Sequence, residues 1–153
     1  MSLNLSKATK TIRLKPDASG WTVVAGTSDV NSDIVDTQGF DACRFIVGFG
    51  TITSGAVTSI KIQQGAAAAM GDAADLAGTS VTVADDDDNQ IAIVDVIRPQ
   101  ERYLRVTVDR GTQNAVIDFA LAELYRANSE PVTQDTTTLV SAETHSSPSE
   151  GTA

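Results

Sequence analysis

Apolar and polar residues alternate with a period of two in one short run after another of this chain, and that pattern points to strands rather than helices. Thr9-Lys10-Thr11-Ile12-Arg13-Leu14-Lys15 alternates cleanly. In Ala56–Gln64, Thr58, Ile60, Ile62 and Gln64 oppose Val57, Ser59, Lys61 and Gln63, and the set carrying both isoleucines is expected to face the core. Arg102–Asp109 sets Leu104, Val106 and Val108 against Tyr103, Arg105, Thr107 and Asp109. Ala42–Gly50 is instead almost continuously apolar, as a central strand should be. Its Gly48 and Gly50 predict a bulge or a close backbone approach.

Shorter candidates fill the rest: 21–25, 34–37, 80–83, 90–97 and 115–126. Turn chemistry separates them, with Pro16–Gly20 and Thr51–Gly55 as turns. Asp85–Asn89 reads as a polar turn, and Arg98–Glu101 breaks the pattern because Pro99 has no N–H to give a ladder. Residues 110–114 are expected to close a hairpin. Ala66–Ala69 favours helix on propensity, yet Gly65 and Gly71 bracket it. One helical turn or an irregular loop is expected there. Gly26–Asp33 reads as loop.

About eight short strands at roughly 8–15 residue spacing predict an all-β fold, an antiparallel β-sandwich of jelly-roll-like form. The 153 residues suit one domain with a core of its own. With aromatics at only 5%, that core must be aliphatic. The expected division is an N-terminal arm or first strand (1–15), the sandwich (16–126) and an extended Ser/Thr-rich tail (127–153). The tail has too little apolar surface for a core, so it is expected to order only on a partner.

The formal net charge is −9. It argues against nucleic acid, whose phosphates need clustered cations. The distribution is uneven: Lys7, Lys10, Arg13 and Lys15 precede every acid, whereas Glu130, Asp135, Glu143 and Glu150 in the tail meet no Lys or Arg. The ends are either solvated appendages or separate docking elements, each on a complementary surface. Under the second reading the contact candidates are Lys7, Lys10, Arg13 and Lys15 in the arm, with Val132, Leu139 and Val140 as the apolar points of the tail.

Catalytic chemistry lacks its parts. The only histidine, His145, lies in the tail, and the only cysteine, Cys43, lies inside an apolar strand without a histidine beside it. No catalytic triad, phosphate loop, dinucleotide fingerprint or zinc spacing is present. No enzyme activity and no cofactor are expected. A lone cysteine allows no internal disulfide. The opening residues lack a signal-peptide core and no apolar run is long enough to span a bilayer, so synthesis in the cytoplasm and no membrane partner are expected. Asp85-Asp86-Asp87-Asp88-Asn89 reads either as a solvated turn or as carboxylates sharing a hard cation at a subunit contact.

Two phrases carry a resemblance. Asp36-Thr37-Gln38-Gly39-Phe40-Asp41 leads into the strand Ala42–Val47 and the turn Gly50-Thr51-Ile52-Thr53-Ser54-Gly55. The second is Arg98-Pro99-Gln100-Glu101-Arg102-Tyr103-Leu104-Arg105-Val106. Together they resemble segments of small β-sandwich virion proteins of tailed phages and prophages, over roughly residues 20–126. The resemblance implies a capsid cement or decoration role, or a place elsewhere in the head or tail. It also implies the major capsid protein of a phage head as partner and the capsid surface as location. Arg98, Arg102 and Arg105 are expected to pair with carboxylates. Symmetric self-association into a homo-oligomer fits the local axes of a shell. A particle-displayed carbohydrate- or receptor-binding module is the alternative.

Overall fold

A computed structural model describes residues 4–15, 25–147 and 149–152. The predicted turn at 16–20, and the predicted strand 21–25 except Ala25, lie outside the described residues. One helical turn, α1 (Leu5–Ala8), leads into β1 (Lys10–Leu14). Then follow β2 (Val30–Asn31), β3 (Val35–Asp36), β4 (Phe40–Ile52), β5 (Val57–Gly65) and β6 (Ala74–Asp75). The chain continues through β7 (Val81–Val83), β8 (Ile91–Ile97), β9 (Tyr103–Gly111) and β10 (Ala115–Ala127).

The strands form two antiparallel sheets packed face to face, so the fold is an all-β sandwich. One sheet has the order β1-β10-β4-β8. The other is built on β9 and β5, with β2 and β3 on the outer side of β9 and β6 and β7 on the outer side of β5. The alternation read from the sequence sets which faces meet. Phe45, Val47, Val94, Ala122 and Leu124 from the first sheet pack with Ile60, Ile62, Leu104, Val106 and Val108 from the second. Cys43 lies in the same core, fully buried.

Gly48 and Gly50 sit where the long β4–β10 ladder changes register. The pairs run Ala115 with Ile52, Ile117 with Phe49 and Phe119 with Gly48. An extra residue on β4 is followed by an extra one on β10, so the second offset cancels the first. A Cβ on Gly48 would run into the Phe119 ring, which crosses β4 at that point. Both the bulge and the close approach are therefore present.

Two expectations are corrected, and the open choice at the Ala-rich segment is decided. Residues 110–114 do not close a hairpin, because β9 and β10 belong to different sheets. The link is an arch over the end of the sandwich, lying against the β4–β5 arch, where Thr53 N–H donates to the Asn114 carbonyl at 2.9 Å. A short Gly-containing link suits either shape, and alternation says which face a residue takes but not which strand lies beside it. Gly26–Asp33 contains β2, and Gly26 itself bridges to Ala115. Two-residue strands are too short to show a period. The Ala-rich segment is an irregular loop: Asp72 accepts from Ala66 N–H at 2.9 Å, and Met70 (φ 49°) is buried beneath it.

Candidate functional site

The sandwich presents two edges of one sheet, and they are finished in opposite ways. On β1 the odd-numbered residues turn their N–H groups away from β10, toward what would be open solvent. Each finds a side chain. Thr11 N–H donates to Gln134 Oε1 at 3.2 Å, Arg13 N–H to Thr138 Oγ1 at 3.3 Å and Lys15 N–H to Asp33 Oδ2 at 3.0 Å. Gln134 also donates from Nε2 to the carbonyls of Ser6 (2.7 Å) and Thr9 (2.6 Å). Val132 N–H reaches the Lys7 carbonyl at 2.8 Å, and Thr144 Oγ1 reaches Asn4 Oδ1 at 2.8 Å. Asp135 holds this segment in shape by accepting from Thr137 and Thr138. Those hydrogen bonds keep its carboxyl below the usual carboxylate value, with the charge of Lys10 helping last.

Within the single chain the tail is thus held against the arm, and the two ends dock on each other. Polar side chains bonding to backbone groups do this, which needs no hydrophobic core. Among the residues singled out from sequence, Lys7, Lys10, Arg13, Lys15, Val132 and Leu139 come together in this clasp. Arg13 and Lys15 join the clasp through their backbone N–H groups, while Leu139 lines a groove with Leu5 and Ser6. Val140 stands apart, fully exposed. Gln134, Thr138 and Asp33 carry the clasp and no signal in the sequence marks them, since polar residues in a polar tail look alike.

At the opposite edge, among the described residues, β8 pairs only with β4. Gln90 O accepts from Phe49 N–H, and Arg98 N–H donates to Asp41 O, so even-numbered residues face β4. Ile91, Ile93, Asp95 and Ile97 therefore point their backbone groups away from the sheet. Their side chains lie on its outer face, with Ile91 56%, Ile93 46% and Ile97 60% exposed. The register continues this apolar face inward: Ile93 lies beside Ile46, which lies beside Leu121. The next row is polar, with Arg44 paired to Glu123 and Tyr125 donating to Asp95 at 2.8 Å. A signal for this surface does exist. Ile91–Ile97 is apolar on both faces, the pattern of a strand covered on both sides, yet in the single chain one side is bare.

The two phrases that carry the family resemblance meet in space. Asp36 is bound bidentately by Arg102, at 2.8 and 2.7 Å. This pairing draws the Asp36 carboxyl below its usual range. Thr37 donates from N and Oγ1 to the Arg102 carbonyl, and Gly39 (φ 89°) turns the chain so that Phe40 can enter β4. A shallow cleft of about 430 Å³ separates residues 37–41 from 98–102. Of the three arginines, Arg102 finds its carboxylate, Arg105 bonds instead to Gln63 Oε1, and Arg98 has no ion-pair partner among the described residues. They flank the crossover from β8 to β9, which joins different sheets and is not a hairpin.

The carboxylates of the acidic turn are occupied by backbone N–H groups, two of them from the end of β4 and the β4–β5 link. Asp85 accepts from Gly55 N–H and Asp88 from Ile52 N–H, both at 2.6 Å, and Asp87 from Ala84 N–H at 2.8 Å. Among the described residues no group of three or more His, Cys, Asp or Glu is placed to hold a metal ion. Burial pushes the Cys43 thiol far up, away from the reactive thiolate. His145 is exposed and meets only Glu143, at 3.1 Å. No family model and no curated protein matches this chain.

Proposed function

We propose that this protein is a non-enzymatic structural component of a tailed-phage particle, a cement or decoration protein that stabilises the capsid by bridging major capsid subunits. One observation supports this most: the two phrases that resemble segments of small virion proteins form a single packed corner, tied by the Asp36–Arg102 ion pair and by Thr37 donating to the Arg102 carbonyl. Such a corner shapes a platform and needs no substrate. The clasp supplies the attachment. Its bonds are few and near the surface, so it opens at low cost relative to the sandwich. Arm and tail released from each other can lie along neighbouring subunits, and added interface stabilises the shell by mass action.

Mixing the purified protein with assembled shells tests the reading. The expected result is sedimentation with shells and a higher shell melting temperature, both weakened when residues 129–153 are removed. Protein that stays in the supernatant at every ratio overturns the cement role. Binding to a glycan array without binding to shells supports the receptor-binding alternative.

A further inference from the structure

We propose that the bare edge at β8 is an interface with a second copy of this chain, in which two β8 strands pair antiparallel across a two-fold axis at Val94. The inference stands apart from the virion role. Three observations point to it.

The first is unmet backbone. Ile91, Ile93, Asp95 and Ile97 hold N–H and C=O groups outward in a row, and an edge left so is a template for another strand. At β1 the same problem is solved within the chain by Gln134, Thr138 and Asp33. Among the described residues nothing comparable covers β8, since β7 runs nearby but pairs with β5.

The second is that the strand complements itself in one register. With Val94 on the axis, Ile91 faces Ile97 of the other copy and Ile93 faces Asp95, and all four outward residues gain partners. Centring on Asp95 instead would oppose two carboxylates and bring in Pro99, which has no N–H. The chosen register lays isoleucine against isoleucine on the outer face and extends the apolar surface around Ile46 and Leu121 across both copies. Cross-strand pairs of this kind stabilise a sheet.

The third is charge. The same register puts Arg98 opposite Gln90 of the other copy, beside its Asp85–Asp88 turn. Arg98 and Asp86 are both exposed, and among the described residues neither has an ion pair or a side-chain hydrogen bond. Antiparallel pairing brings each copy's free cation to the other's free anion, twice by symmetry. An unrelated extended peptide would meet the backbone demand but not this reciprocity. Each copy carries a net charge of −9, so screening by salt should favour association.

Sedimentation equilibrium of the full chain over a micromolar-to-millimolar series is the test. A concentration-dependent dimer is expected, tighter in moderate salt. Arg98→Asp should weaken it about tenfold or more, and adding Asp86→Arg to that variant should restore it. A chain carrying both Ile91→Cys and Ile97→Cys should form a covalent dimer under mild oxidation, because these positions face each other only between copies. All four positions are exposed, so folding is expected to survive, and a melting curve confirms it. A monomer throughout the series overturns the proposal. So does a dimer that ignores Arg98→Asp and fails to cross-link, or a monomer whose β8 edge is taken only by a strand of another protein.

Discussion

The two edges of the four-stranded sheet face the same physical problem and answer it differently. β1 is basic and polar on its outer side, and its spare N–H groups are met by three side chains of the same chain. β8 is apolar on its outer side, and among the described residues its spare groups are met by none. Natural sheets blunt their edges because an open one recruits other strands. The difference teaches that covering an edge can be done with side chains alone, at low cost in apolar surface. An edge left open in the same molecule is then an invitation to a partner.

The strongest way to break the contrast is to make β1 resemble β8. Removing residues 129–153 keeps the Asn128 N–H bond to Gly39 but takes away Gln134 and Thr138. Several hydrogen bonds worth about 1 kcal/mol each are lost, so unfolding free energy should fall by about 2–4 kcal/mol. Amides of Thr11 and Arg13 should exchange faster while those of β4 stay protected. A truncated protein with unchanged melting and unchanged exchange at Thr11 would show that the clasp contributes nothing.

A narrower cut is Gln134→Ala. This side chain satisfies one donor and two carbonyls of the arm, all partly buried. A loss of about 1–2 kcal/mol is expected in chemical denaturation. Thr138→Ala should cost less, since it removes a longer bond of 3.3 Å at an exposed site.

Much of this was legible from residue order, and the rest was not, for definable reasons. Alternation correctly assigned Ile60 and Ile62 to the core and put Leu104, Val106 and Val108 on one face, which is the buried one, and Gly48 marked a real bulge. It could not tell which strand each would neighbour, so the 110–114 arch read as a hairpin. The clasp was half visible. Opposite charge at the two ends suggested docking, but the groups that hold them are mostly backbone N–H and neutral side chains, which no charge count reveals. The expectation from charge was a separate complementary surface for each end, and contact between the ends themselves was not read. The β8 edge was the reverse case: its apolar run was read as a strand, but residue order alone does not say that a strand lies at an edge.

Acid offers a finer probe of the clasp. Asp135 has its carboxyl held below the ordinary value of 3.8, first by Thr137 and then by Thr138. The stability it contributes is therefore full above that ordinary value and is lost as pH falls through the lower folded one. Tail amides around Thr137 and Thr138 should lose protection over that window. Asp135→Asn should flatten the dependence there. Asp36, held low by Arg102, should lose its share over a similar window, and Arg102→Ala removes that second dependence without touching the tail.

The smallest effect is expected from calcium. A run of four carboxylates invites a hard cation, but three of these have already committed an oxygen to the N–H groups of Gly55, Ile52 and Ala84. Gathering them round one ion would break those bonds. Millimolar calcium should then shift the melting temperature no more than magnesium at equal ionic strength, acting through screening alone. Screening also bears on the edges. If the turn gathers no ion, calcium should tighten the dimer no more than sodium chloride at equal ionic strength, both acting by screening the like net charges of the two copies. A calcium-specific rise, abolished by Asp86→Asn, would mean that the turn gathers an ion after all, and that the β8 edge is bridged by metal rather than by arginine.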